Sequence, residues 1–148
     1  MFPSFHPFLS FLGRLLLSVI FLLSGVHKLM DWSGTADYMA SYGMTAVPYF
    51  LTAAVVVELV CGAALMLGYH TRLAALVLFL YLLPVTYIFH HFWGLQGHEQ
   101  QEQMINFLKN LAIMGGLLEF CAVGAGFLSM DARLARTRFG WLRPWRSW

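Results

Sequence analysis

The chain has 148 residues, of which 59% are hydrophobic and 11% are charged. Its mean hydropathy of +0.68 is far above what a soluble domain of this length needs to fill its core, so lipid is the expected solvent. The net charge of +2 is too small, and the basic residues are too unevenly spread, for a nucleic-acid-binding surface. The composition therefore predicts an integral membrane protein without a nucleic-acid partner.

Four segments are long and apolar enough to cross the hydrocarbon as helices, which takes about 20 residues each. Turn-favouring residues fill the break at 30–46, residues 68–71 form a tight connection, and residues 94–103 are expected to form a polar loop. The predicted fold is an all-α, membrane-embedded four-helix bundle over residues 1–130, followed by a tail over 131–148. The predicted spans are residues 8–29, 47–67, 73–92 and 105–127.

The basic residues are concentrated on one side of the predicted bundle. Arg72 lies in the connection between the second and third spans, and the tail after the fourth span is rich in arginine and tryptophan. Positive residues next to spans favour the cytoplasmic side, and an even number of spans puts both termini on that side. We therefore expect a protein of a bacterial-type inner (plasma) membrane with cytoplasmic termini and a tail suited to an anionic lipid surface. The arginines of the tail are Arg133, Arg136, Arg138, Arg143 and Arg146.

Several charged and polar residues fall inside the predicted spans, where a charge costs roughly 3 kcal/mol or more on insertion scales. Helical spacing places Arg14 on an inward face of the first span and Glu58 on a face of the second span beside small residues. Because their estimated depths are similar, the two are predicted to form a buried ion pair. A separate polar layer is expected in the outer third of the bundle, formed by Lys28, His90, Asn106, Lys109 and Asn110.

Glu119 is interpreted differently from these residues. It lies on the face of the fourth span opposite Lys109, together with Ala112 and Gly115. Small residues at this spacing favour close helix contact, so the face is a candidate homodimer interface.

The histidines do not predict a metal or haem site. His90 and His91 are adjacent and point about 100° apart on a helix, so they are not expected to bind one metal ion. Haem ligation by His27 and His90 is not expected either, because His27 falls well off the face that carries Arg14 and Lys28. No Walker loop, HExxH motif or dinucleotide glycine fingerprint is present, so hydrolytic and nucleotide-driven mechanisms lose support.

A series of short motifs runs through the chain in a fixed order and spacing. From about Gly13 to Arg133, the chain resembles the DoxX family of small four-span membrane proteins. The motifs that carry the resemblance are GR at 13–14, SGVHKL at 24–29, GTADYM at 34–39, EL at 58–59, GYHTR at 68–72, HHFW at 90–93 and MINFLKN at 104–110.

The resemblance implies a membrane protein that works near redox lipids. The DoxX family takes its name from a subunit of an archaeal quinol-oxidising, thiosulfate-linked respiratory complex, and other members are linked to quinone or thiol redox stress. Glu119 departs from the apolar residue expected at that position in the family.

The leading hypothesis is a polar bundle interior, open toward the outer side, that binds a quinone or a similar small amphipathic molecule in support of a membrane redox system. Lys109, Asn110 and His90 would donate hydrogen bonds to ligand oxygens. Glu58 would balance charge or accept a proton, and Arg14 would keep it ionised. The candidate ligand-binding residues are Lys28, Glu58, His90, Asn106, Lys109 and Asn110.

Two alternatives remain open. The first is a non-enzymatic accessory or assembly subunit, whose polar residues hold the bundle together while the face around Glu119 recruits a membrane redox partner subunit. The second is a small permease, which the lack of internal repeats makes weaker. If the protein is an enzyme, we expect an oxidoreductase subunit linked to quinone.

Overall fold

The computed structural model describes residues 6–138, and every regular element in that range is a helix. Four of the helices are long and apolar enough to cross a membrane. The prediction of an all-α fold with four spans is therefore confirmed, and the chain is a membrane protein. In chain order the helices are α1 (His6–Met30), α2 (Trp32–Ser41), α3 (Val47–Leu67), α4 (Thr71–Phe89), α5 (Gly97–Val123) and α6 (Met130–Arg138).

The spanning helices α1, α3, α4 and α5 run in alternating directions. Helix α2 lies at one end of the bundle, here called the α2 end, and helix α6 lies at the other, called the α6 end. Helix α1 packs along α3, α3 along α4, and α4 along α5, whereas α1 and α5 meet over a shorter stretch. Gly116 of α5 lies against Leu17 of α1, and Gly13 of α1 lies against Phe120 of α5. These contacts join α1 to α5 in the half of the bundle nearer the α6 end.

Two apolar clusters hold the helices together. The larger cluster takes side chains from all four spans, and the smaller one fastens α2 to α3 through Met39, Val47, Leu51 and Val55. Met39 lies outside the spans, so its burial withdraws it from water. Burial of such a side chain stabilises the packed state by roughly 1.5–3 kcal/mol. The buried members of the larger cluster are Phe21, Leu65, Ala75, Leu78, Leu82, Met114 and Leu117.

Helical structure extends into two segments that the sequence assigned to loops. The break at 30–46 contains α2, whose first turn is capped by Asp31: its Oδ1 accepts a hydrogen bond from the Gly34 amide at 3.2 Å. The predicted loop at 94–103 is wrong beyond Gln96, because α5 begins at Gly97 and its first turns consist largely of Glu and Gln, which are good helix formers. The third span, predicted to end at residue 92, ends at Phe89.

Helix α6 closes the opposite end of the bundle, where the sequence predicted only a basic tail. The Asp131 carboxylate accepts hydrogen bonds from the backbone amides of His70 at 2.8 Å and Thr71 at 3.0 Å. These amides belong to the start of α4, so Asp131 satisfies donors that have no partner within that helix. The rest of the predicted tail, residues 139–148, lies outside the described residues.

Arg14 is fully buried at the α6 end and does not pair with Glu58. Its guanidinium donates to the backbone carbonyls of Leu65 at 3.3 Å, Met66 at 3.1 Å and Leu128 at 2.5 Å. The last carbonyls of α3 have no amide partner within their helix and carry partial negative charge, so they stabilise the cation. The predicted Arg14–Glu58 ion pair is therefore wrong: Arg14 sits level with Leu65, about two helical turns, or about 10 Å, along α3 from Glu58.

Candidate functional site

A cluster of polar side chains lies inside the bundle around Glu58. The Glu58 side chain is nearly fully buried, and Lys28 of α1 bridges its two carboxylate oxygens at 2.9 and 3.0 Å. Tyr81 of α4 donates its hydroxyl to Oε1 at 2.7 Å, and Ser24 of α1 donates to the same oxygen at 3.2 Å. Three donors from two neighbouring helices therefore converge on one carboxylate.

The local sequence explains why these groups meet. Ser24 and Lys28 are four residues apart on one face of α1, and the Lys28 ammonium donates to the Ser24 hydroxyl at 2.6 Å. Gly25 lies on the side of α1 that faces α3, where a β-carbon would come within 2.8 Å of the Leu59 side chain. This close approach of α1 and α3 is what lets the Lys28 side chain reach Glu58.

The charges in this cluster balance one another. An ammonium and a carboxylate at hydrogen-bonding distance sum to zero, and each group also has neutral hydrogen-bond partners. A buried ion pair is tolerated in an apolar interior only when its remaining donors and acceptors are satisfied in this way. Lys28 donates its three N–H groups to Glu58 and Ser24, so neither Lys28 nor Glu58 needs a further ion to neutralise its charge.

A cavity of about 530 Å³ lies against this cluster. It extends from the level of Glu58 and Tyr81 toward the α2 end and is lined largely by apolar side chains of α1, α3 and α4. Its size falls within the usual range for sites that hold small molecules. The arrangement is an apolar chamber with a few polar groups at one end, which is the general form of a binding site for an amphipathic ligand.

The cavity wall carries four of the six candidate residues: Lys28, Glu58, His90 and Asn110. Lys109 and Asn106 are not on it. Lys109 is exposed and its ammonium donates to the Asn106 side-chain oxygen at 3.0 Å. One residue along a helix turns a side chain by about 100°, which is why Asn110 faces the cavity while its neighbour Lys109 does not.

Tyr81 and Ser24 are polar residues of the site that the sequence reasoning missed. Tyrosines in spanning helices are commonest at the membrane–water boundary, and Tyr81 lies near the middle of the third span instead. That unusual depth was a usable signal for a hydroxyl with a buried partner. The signal at Ser24 was weaker: it lies one helical turn before Lys28, so the two side chains share a helix face.

Two groups on the wall keep unused hydrogen-bonding atoms. The Asn110 amide donates one N–H to the Thr86 hydroxyl at 3.0 Å, which leaves its second N–H and its oxygen without a described partner. His90 Nδ1 lies 3.0 Å from the Gln103 side-chain oxygen. With Nδ1 assigned as the donor, Nε2 of the neutral ring is left as an acceptor. The wall can therefore both donate to and accept from a neutral ligand.

Helix α2 covers the cavity at the end away from Glu58. Thr35, Tyr38 and Met39 of α2 line the cavity, and the Tyr38 ring stacks on Phe89 of α4 with ring centroids 5.6 Å apart. Burial, with a smaller contribution from the hydrogen bond to Tyr42, raises the pKa of Tyr38, so its hydroxyl stays protonated.

The face around Glu119 is on the outside of the bundle. Glu119 and Ala112 are exposed, and no atom of another described helix lies within 4 Å of where a Gly115 β-carbon would be. The homodimer interface predicted there stays a prediction.

Comparison with known proteins identifies the family. The sequence profile of the DoxX family matches residues 9–91, and that of the SURF4 family matches residues 53–136. No solved structure matches the chain.

Several curated proteins are similar to the chain. Inner membrane protein YphA of Escherichia coli (strain K12) is 35% identical over 89% of this chain and 94% of its own length. Inner membrane protein YqjF of the same organism is 29% identical over 82% of this chain and 88% of its own length. A Surfeit locus protein 4 homolog from Drosophila melanogaster is 28% identical over 84% of this chain but only 40% of its own length. The DoxX profile matches more than half of the residues, and YphA is similar along nearly all of them. The chain therefore belongs to the DoxX family.

Proposed function

We propose that the protein binds a neutral quinone-like molecule in the cavity beside Glu58 and serves a membrane redox system. The observation that carries the proposal is the charge balance of the wall: Lys28 and Glu58 neutralise each other, while Asn110 and His90 keep free hydrogen-bonding atoms. A wall of this kind favours a neutral head that carries oxygen atoms over an anion, which would find no uncompensated cation.

Both redox forms of a quinone suit these atoms. A quinone carbonyl accepts hydrogen bonds, and the free N–H of Asn110 would donate to it. A quinol hydroxyl donates, and His90 Nε2, the Asn110 oxygen and the Tyr81 oxygen are acceptors on the same wall. The proposal concerns binding of the head group, and the polar residues named here are its ligand-binding residues.

We also propose that the protein resides in a bacterial inner membrane, as the names of YphA and YqjF state for those proteins, with the α6 end in the cytoplasm. The support is the charge distribution: Arg72, Arg133 and Arg136 all lie at the α6 end. Reporter domains fused after Ser41 and after Thr71 test the orientation. We expect the first to be active outside the cytoplasm and the second inside, and the reverse pattern would reject it.

The binding proposal is tested with a tail-less probe, 2,3-dimethoxy-5-methyl-1,4-benzoquinone, titrated calorimetrically into the purified protein in lipid nanodiscs. We expect saturable binding to the parent and roughly tenfold or greater weakening in Asn110→Leu, since one to two hydrogen bonds are lost. His90→Phe removes the second polar group and provides an independent variant if Asn110→Leu folds poorly. Decanoate, an anion of similar size, should not displace the probe.

Lys109→Met is the matched control, because it removes a polar side chain one residue from Asn110 that does not line the cavity. We expect its affinity for the probe to equal that of the parent. If the parent does not bind the probe, or if Lys109→Met weakens binding as much as Asn110→Leu, the cavity is not a quinone site. The accessory-subunit hypothesis would then be the better account of the polar cluster.

A further inference from the structure

The cavity reaches the lipid-facing surface of the bundle between α3 and α4. Phe50 and Ala53 of α3 and Pro84 of α4 all line the cavity, and all three are also exposed on the outside, Phe50 by 55%. A side chain that is both on the cavity wall and on the outer surface marks an opening, and among the spanning helices α3 and α4 contribute these three such residues, whereas α1 contributes only Ile20 and α5 none. We call the gap between α3 and α4 that these residues border the α3–α4 seam.

The seam is open in one half of the bundle only. Toward the α6 end, α3 and α4 are packed through Leu65, Ala75 and Leu78, which are fully buried. Toward the α2 end, the small Ala53 of α3 and Pro84 of α4 both line the cavity and are exposed on the outside. Pro84 also has no backbone N–H to donate within α4. Because these two side chains are small or cyclic, they leave the seam unfilled.

The two sides of the cavity differ in polarity. On the side of α1 and α5 its wall carries Ser24, Lys28 and Asn110 beside the apolar Ile20, Phe21 and Ile113. On the side of α3 and α4, Glu58 and Tyr81 lie at the end of the cavity away from α2, and the side chains that line the seam itself are apolar: Phe50, Ala53, Val57, Pro84 and Ile88. The seam opens at the depth of the spanning helices, whereas the end that faces water is covered by α2. An apolar opening at this depth exposes the cavity to lipid chains and not to water.

Resting on the proposed function, we propose that the ligand is a long-tailed, membrane-dissolved quinone that enters and leaves sideways through the α3–α4 seam. Its head lies against Asn110 and His90, and its apolar tail passes between Ala53 and Pro84 into the bilayer. The chemistry of the seam selects an alkyl or isoprenoid tail, because a polar tail would have to leave its hydrogen bonds unmade along this path.

The test uses a 1,4-benzoquinone that carries a decyl tail with a photoreactive diazirine midway along it, added to the protein in nanodiscs. After illumination, labelled peptides are mapped by mass spectrometry, and only labelling that excess tail-less quinone suppresses is counted. We expect such labelling within residues 50–57 and 81–88. Competable labelling confined to α1 or α5 would overturn the proposal, and this readout needs no variant.

A plug in the seam gives the second readout. In Ala53→Trp the indole would fill space beside the seam, so we expect competable labelling by the tailed probe to fall about tenfold or more, and by a larger factor than the affinity for the tail-less quinone falls. The control is Val56→Trp, which adds the same side chain on an exposed position of α3 that does not line the cavity. Equal labelling of the two variants would overturn the proposed route. If the tail-less quinone does not bind the parent, it is the proposed function that fails.

Discussion

Arg14 at the α6 end and Glu58 in the other half of the bundle are both buried charged residues, 0% and 4% exposed, yet their surroundings differ. Every described hydrogen-bond acceptor of Arg14 is a backbone carbonyl, and the space around it is full: a β-carbon on Gly68 would lie 2.3 Å from the guanidinium. The partners of Glu58 are side chains, and a cavity adjoins it.

The difference separates two uses of a charge inside a membrane protein. Where backbone carbonyls accept hydrogen bonds from the two terminal nitrogens of the guanidinium and no room is left, the charge ties helix ends together. Where other side chains neutralise the charge next to a cavity, the buried charge forms part of a polar wall that a ligand can contact. An intramembrane charge is therefore a candidate site only when free space lies next to it, and only Glu58 of these two meets that condition.

The largest expected effect is at the α6 end. Arg14→Met removes the guanidinium from the carbonyls of Met66 and Leu128 and leaves the Leu65 carbonyl with the Gly68 amide alone, so we expect a loss of roughly 3–5 kcal/mol in the free energy of unfolding. Arg14→Lys should recover only part of it, since an ammonium cannot reproduce the guanidinium geometry. The measurement is denaturant unfolding in mild detergent followed by circular dichroism.

Arg72→Met is the control for this loss, because Arg72 is exposed at the same end and makes one long hydrogen bond, 3.4 Å, to the Val123 carbonyl. We expect it to cost less than about 1 kcal/mol. Similar stability of Arg14→Met and the parent would mean that Arg14 does not tie the helix ends together.

An intermediate effect is expected from a double-mutant cycle on Lys28 and Glu58. Lys28→Met and Glu58→Gln should each destabilise the fold, because each leaves a buried charge without its partner, and the double variant should recover about 1–3 kcal/mol relative to the sum. The same cycle with Arg14 and Glu58 should be additive within about 0.5 kcal/mol, since these residues do not touch. Coupling in the second cycle but not in the first would reverse the comparison between the two regions.

The smallest effect is expected at Asp131. Asp131→Ala removes the cap from the His70 and Thr71 amides and should lower the free energy of unfolding by about 1 kcal/mol. Affinity for the tail-less quinone should stay unchanged, because Asp131 lies at the opposite end of the bundle from the cavity. Calorimetric titration of the folded variant measures this, and a large drop in affinity would show that the two ends are coupled.

Helical periodicity predicted the inward faces well and the depths less well. It put Lys28, Glu58, His90 and Asn110 on inward faces, and these four line the cavity, but it also put Asn106 and Lys109 on an inward face, and neither lines the cavity. It also paired Glu58 with Arg14, because estimates of depth from span ends carry errors of a helical turn or more when the ends are uncertain. In the structure the cation that pairs with Glu58 is Lys28.

The sequence by itself determined that the protein crosses a membrane four times and belongs with the DoxX family, because hydropathy over about 20 residues and the order of motifs are properties of the chain alone. Only the tertiary structure decided which buried charge adjoins a cavity. A cavity lies beside Ala53 and Pro84, whereas Gly68 is packed tightly against Arg14. Both outcomes depend on how far apart the helices lie, and that distance is set by all the side chains packed between them.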